Sequence, residues 1–266
     1  NEAKPVLNRF KTLVAMAFCL FMISACVTET TNPVFNAERS DSDALDGYLR
    51  LAIGYLDEGD LPSAKRHLQN AADIDSNNSE MYGIWGLINT REGEMELAET
   101  NFRRSLREDS SNSQARNNFA AFLFAQGRIE DAYEQLELVV SDTEYAQRSQ
   151  AFENMGMAAS RLDRTEDAEI AFRRAMQLNP NQLRSALELS AINISNNNLQ
   201  QARVYWQNYL TLIQFYNLAH NARSLLIGIR LEQAEENTIN VRQYGELLRI
   251  NFPDSQEYRV YRQLLD

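Results

Sequence analysis

The sequence predicts an all-α fold, a right-handed superhelical solenoid of about six helix-turn-helix repeats, on three observations. Alanines recur at Ala64, Ala98, Ala132, Ala168 and Ala202, spaced 34, 34, 36 and 34 residues apart. Five residues before the first three lie Gly59, Gly93 and Gly127, and Asp163 and Asn197 hold that place in the next two. No segment shows the apolar–polar alternation of a half-buried strand.

The chain opens on a segment with the pattern of a secretion signal. Lys4, Arg9 and Lys11 precede an apolar run from Leu13 to Ile23, which stops at the small residues Ser24 and Ala25, so residues 1–25 read as a signal peptide. That run is 11 residues long, and a helix that crosses a bilayer needs about 20. Ile23-Ser24-Ala25-Cys26 resembles the lipobox at which bacterial lipoproteins are cleaved, which makes Cys26 the expected lipidation site. Acyl chains on Cys26 would hold the chain at a membrane by burying methylenes. In many Gram-negative lipoproteins an aspartate after the cysteine favours the inner membrane. Val27 stands there, so the expected location is the outer membrane, lipid-anchored and facing the periplasm. With Cys19 in the removed segment and Cys26 modified, no thiol is left for a disulfide.

Residues 26–43 carry the modified cysteine and then Thr, Asn, Ser and Asp around Pro33, without an apolar period, and read as a flexible tether. Stretched, it could reach on the order of 60 Å.

Residues 44–254 hold the repeats, at about 45–78, 79–112, 113–148, 149–182, 183–216 and 221–254. A period of about 34 is that of the tetratricopeptide (TPR) repeat. Its columns describe two antiparallel helices. Tyr48, Leu51 and Tyr55, Tyr82 and Trp85, Phe119 and Leu123, and Phe152 and Met155 are expected to form the buried stripe of the first helices. Ala52, Gly86, Ala120, Gly156 and Ser190 run beside it, small where a second helix must come close. The second helices carry Leu68, Phe102, Leu136, Phe172 and Trp206, followed by Ala71, Ser105, Val139, Ala175 and Tyr209. Glycine or asparagine between the helices suits a left-handed turn, and residues 255–266 read as a capping helix with a polar outer face.

The chemistry of the chain is that of a binder. A formal charge of −11, or −13 once the +2 of residues 1–25 is removed, argues against nucleic acid, whose phosphates require a basic face. Two histidines, His67 and His220, with His67 expected toward solvent, cannot build a metal site without cysteine. No glycine-rich loop is followed by the Lys-Ser/Thr of a phosphate cradle. Catalytic residues, cofactor, metal and small-molecule substrate are therefore all expected to be absent.

TPR arrays bind proteins on the face lined by their first helices. Leu49, Ile53 and Leu56, then Gly83, Leu87 and Thr90, then Asn117, Ala121 and Phe124, lie one step round from the expected stripe. Glu153, Met157 and Ser160, and Leu187, Ala191 and Ile194, continue the row. This predicts a mostly apolar groove, with Leu49, Ile53, Leu56, Leu87, Asn117, Phe124 and Met157 as its candidate contacts, suited to an amphipathic helix or an apolar extended segment. Asn117 is the one residue of carboxylate-clamp type in it. A covered surface at Leu49, Ile53 and Leu56, under Val34-Phe35 or by superhelical closure, is the alternative.

Several segments resemble a family, the type IV pilus biogenesis and stability lipoproteins called pilotins, of the PilF/PilW type. They are Tyr48-Leu-Arg-Leu-Ala-Ile-Gly-Tyr55 with Glu58-Gly-Asp60, Phe152-Glu-Asn-Met-Gly156, and Phe172-Arg-Arg-Ala-Met-Gln-Leu-Asn-Pro180. Ser224-Leu-Leu-Ile-Gly-Ile-Arg230 and Phe252-Pro-Asp-Ser-Gln-Glu-Tyr258 follow in a degenerate last repeat and are the more particular. The resemblance implies an outer-membrane lipoprotein that helps the type IV pilus secretin subunit reach the outer membrane and multimerise there. A TPR lipoprotein scaffold for outer-membrane protein insertion or for cell-wall enzymes is the alternative.

Overall fold

In a computed structural model that describes residues 40–265, the chain forms thirteen α-helices and, among the described residues, no strand. Six pairs follow one another: α1 (Asp41–Glu58) with α2 (Leu61–Ile74), α3 (Ser79–Glu92) with α4 (Met95–Glu108), and α5 (Ser113–Ala125) with α6 (Ile129–Ser141). Then come α7 (Arg148–Arg161) with α8 (Thr165–Leu178), α9 (Leu183–Ser195) with α10 (Leu199–Phe215), and α11 (Ala222–Ala234) with α12 (Thr238–Asn251). Helix α13 (Gln256–Gln263) caps the last pair. The signal segment, Cys26 and the tether up to residue 39 lie outside the described residues. Helix α1 starts at Asp41, so the end of the assigned tether, residues 41–43, is helical.

Each turn inside a pair hinges on one left-handed residue at the predicted place. Gly59, Gly93 and Gly127 have φ of 82°, 81° and 77°, and Asp163 and Asn197 have 57° and 55°. The sixth pair puts Glu236 there, at φ 58°. A Cβ in that region costs about 1–2 kcal/mol, and glycine avoids the cost. Glu236→Gly is therefore expected to raise the unfolding free energy by about 0.5–1 kcal/mol, read as a higher urea midpoint. The second helix is started by a side-chain cap in three of the six pairs, where Asp60 accepts from Ser63 N, Asn198 from Gln201 N and Asn237 from Asn240 N.

The core follows the period. Ala64, Ala98, Ala132, Ala168 and Ala202 are completely buried, and Leu68, Phe102, Leu136, Phe172 and Trp206 are at most 1% exposed. Small residues of the first helices make room for them. A Cβ at Gly86 would fall 2.7 Å from the Phe102 ring, and one at Gly156 would fall 2.7 Å from the Phe172 ring. Trp206, larger than the others, reaches into the sixth repeat, where a Cβ on Gly228 would come within 2.8 Å of the indole. That close approach gives the glycine of the Ser224–Arg230 segment its structural reason. Phe252 and Tyr258 of the other C-terminal segment pack with Tyr261 against Leu225, Ile229 and Leu248.

The first two repeats depart from expectation by one residue, with Met81, Ile84 and Ile88 buried in α3 in place of the expected Tyr82 and Trp85, and in the fourth Phe152 and Met155 are half-buried. Leu51 is 47% exposed, whereas Leu49, Ala52 and Leu56 are buried against Leu68, Ala71, Met81 and Ile84. A shift of one residue is about 100° of rotation around a helix. The phase is set by Ala52, which must face α2. Tyr48 and Tyr55, which suggested the other phase, lie at the edge of the core and flank His67, with ring centroids 6.0 and 5.3 Å from it. His67 is accordingly half-buried between aromatic rings and not turned to solvent.

Candidate partner-binding cleft

The first helices α3, α5, α7, α9 and α11 are laid side by side by the second helices behind them, and their common face forms the cleft. Its row of residues sorts by position. The first member of each predicted triplet, Leu49, Gly83, Asn117, Glu153 and Leu187, is buried, because it meets the neighbouring repeat. Gly83 packs closely, since a Cβ there would sit 3.3 Å from Ala115 Cβ. Asn117 Oδ1 accepts from Asn154 Nδ2 at 3.2 Å. Glu153 Oε2 accepts from Ser185 N at 3.0 Å and from Ser185 Oγ at 2.8 Å.

Three of the sequence-derived contacts are thereby corrected. Leu49 and Leu56 are core residues of the first two repeats, and Asn117 is a buried link between α5 and α7. Ile53 is 37% exposed, and Leu87, Phe124 and Met157 are half-buried. Phe124 and Met157 line the same cavity, which has a volume of about 1060 Å³. Leu87 and Ile53 are not part of it.

That cavity is less apolar than the residue row suggests. Its walls include Arg161 from α7, Arg184 from α9 and Arg223 from α11, and it is closed at one side by Leu218, Ala219 and Asn221 of the α10–α11 connection. Arg161 lies over the Phe124 ring, 5.9 Å from its centroid. The two acids of the wall are both engaged: Glu153 by Ser185, and Glu188 by Arg223, whose Nε donates to Glu188 Oε1 at 2.8 Å. Two smaller cavities extend it. One of about 210 Å³ shares Phe124, Met157 and Arg184, and one of about 300 Å³ shares Ser160, Glu188 and Arg223 and adds Arg230. The arginines and the connecting loop escaped sequence reading because they stand off the repeat columns. The signal available was their recurrence in the first helices of the last three repeats.

The loop that borders the cleft is pinned by His220. Its ring stacks on Trp206 with centroids 5.9 Å apart, lies 5.8 Å from the rings of both Tyr209 and Tyr244, and its Nδ1 is 3.2 Å from Ser224 Oγ. Burial lowers the His220 pKa below its ordinary value. A histidine that resists protonation in the folded state binds fewer protons than in the unfolded chain. Its contribution is full above the ordinary value of about 6.5 and is lost as pH falls below it. Between about pH 7.5 and about pH 5.5 the urea midpoint is expected to fall, and His220→Phe, which keeps the ring, is expected to flatten that fall. Among the described residues no cluster of His, Cys, Asp and Glu could hold a metal, and no helix is long and apolar enough to cross a membrane.

Comparison with known proteins agrees with the architecture. A tetratricopeptide-repeat model matches residues 149–182. The type IV pilus assembly protein PilF of Pseudomonas aeruginosa is 32% identical over 254 residues, which is 93% of this chain and 97% of that protein. The solved structure of Pseudomonas aeruginosa PilF superposes with a TM-score of 0.78, covering 84% of this chain and 99% of the other. PilW, described as a widely conserved type IV pilus biogenesis factor, shares the fold, with a TM-score of 0.67 at 21% identity over 81% of this chain and 97% of its own.

Proposed function

We propose, from the premise that this chain belongs to the family of the type IV pilus assembly protein PilF, that it is a pilotin, anchored at Cys26 in the outer membrane and facing the periplasm. In this role it brings the type IV pilus secretin subunit to the outer membrane and supports its multimerisation. The observation that carries the reading is kinship with a pilus assembly protein along nearly the whole length. A lipobox-like Ile23-Ser24-Ala25-Cys26 supports the anchor, and a TPR array with a partly apolar cleft supports protein binding.

The mechanism asks little chemistry of the chain. Lipid on Cys26 would fix one end, and the array would offer its concave face to a partner subunit before that subunit inserts. Retrieval of the chain from a detergent extract of its own cells tests this. Co-recovery of secretin is the expected result. Recovery of a barrel-assembly machine or a peptidoglycan enzyme without secretin would overturn the pilotin reading in favour of a scaffold for another envelope process.

A further inference from the structure

The formal charge of the whole chain is −11, yet the concave face of its last three repeats is basic. Arg161, Arg184, Arg223 and Arg230 line three adjoining cavities whose only acids are Glu153 and Glu188, so the lining carries a surplus of positive charge. Elsewhere on the chain some exposed arginines are held by carboxylates, as Arg103 and Arg128 are by Glu99 and Arg249 by Glu246. In the cleft both acids are already engaged. Glu188 takes up Nε and Nη2 of Arg223, and Glu153 is occupied by Ser185. Arg161, Arg184 and Arg230 make no hydrogen bond or ion pair among the described residues. Three guanidinium groups on three neighbouring helices, without a carboxylate partner and lining adjoining cavities, leave planar donor forks that match carboxylates.

Between them lie half-buried apolar surfaces: Phe124 and Met157 beside Arg161 and Arg184, and Ile194 beside Arg230. A small anion would leave these uncovered, and a wholly apolar segment would strand the arginines. We infer that this cleft takes an extended peptide segment of a protein partner in which carboxylate side chains are interleaved with apolar ones, the carboxylates meeting Arg161, Arg184 and Arg230. The inference rests on the pilotin reading for which protein supplies the segment, and on the cleft alone for its chemistry. It places the contact in the last three repeats and on Phe124 of the third, away from Ile53 and Leu87.

The test uses the full chain and three fluorescent twelve-residue peptides of the same apolar residues. One carries Asp and Glu at alternate places, one Asn and Gln, and one Lys. Anisotropy is expected to show the acidic peptide binding at least about tenfold more tightly than its amide twin, with affinity that falls as salt is raised. Arg161→Glu with Arg184→Glu is expected to remove that preference. Both side chains are exposed, and an unchanged helical circular dichroism spectrum and urea midpoint show that the variant is folded. Arg161→Gln with Arg184→Gln, which adds no repulsion, is expected to weaken the acidic peptide by an intermediate factor. Equal binding of the acidic and amide peptides, tighter binding of the lysine peptide, no binding of any of the three, or a preference that survives the charge reversal would overturn the inference. Secretin multimerisation in cells carrying the Glu variant separates the two readings. Failed peptide binding beside secretin that still depends on the chain sinks the cleft assignment alone. Arginine-dependent peptide binding beside secretin indifferent to the chain sinks the pilotin reading alone.

Discussion

Trp206→Ala is expected to lower the unfolding free energy by about 3–5 kcal/mol and to release the last repeat before the others. The indole is completely buried, stacks on Tyr209 with centroids 5.3 Å apart, and meets the edge of Tyr244 at 5.9 Å. It also fills the space over Gly228 and backs the His220 ring. It therefore joins α10 to α11 and α12, and in a repeat array such nearest-neighbour surfaces carry the coupling between units. Hydrogen exchange would show the selective effect, with amides of residues 222–263 losing protection first while α3 to α6 keep theirs. Uniform loss along the chain would contradict the assignment of Trp206 as the joint.

The second large effect concerns Gly156 and Phe172. Phe172→Ala removes a ring that is completely buried in the central cluster, and a loss of about 3–5 kcal/mol is expected. Gly156→Val forces side-chain carbons to where the ring already stands, 2.7 Å from an ideal Cβ. An overpacking cost of about 1–3 kcal/mol follows, because a buried ring has nowhere to go. The pair Gly156→Ala with Phe172→Leu is expected to be more stable than the sum of its single variants by about 0.5–3 kcal/mol, since a smaller partner admits the methyl group. Urea midpoints of the four proteins of the cycle measure it, and simple additivity would mean that the two residues do not share the space.

Repeat period, turn positions and ladder residues were legible in the sequence because each is repeated. Five alanines at nearly equal spacing average out local exceptions, and the burial of Ala64 to Ala202 follows. The phase of one helix has no such redundancy. In α1 the aromatic side chains Tyr48 and Tyr55 outweighed the small residue Ala52, and the contacts assigned to Leu49 and Leu56 went into the core. Burial of Asn117 followed from the same cause in a different form, a polar residue used between repeats and not on their surface.

The cleft was legible only in part. Phe124 and Met157 fall on the periodic row and were found. Arg184 and Arg223 share a repeat position, the second residue of α9 and of α11, but Arg161 stands near the end of α7, so only the stacking of α7, α9 and α11 brings the three to one cavity. The loop carrying Leu218, Ala219 and Asn221 breaks the period, and its place depends on Trp206 and His220 behind it.

The central claim, a lipid-anchored scaffold for secretin assembly, is tested most directly by the state of the secretin in a strain that lacks this chain. Membranes separated by density and run on a native gel would report it. The account predicts multimeric secretin in the outer membrane when the chain is present, and secretin left as unassembled subunits when the chain is deleted or carries Cys26→Ser. Secretin multimers at an unchanged level in the outer membrane of the deletion strain would contradict it.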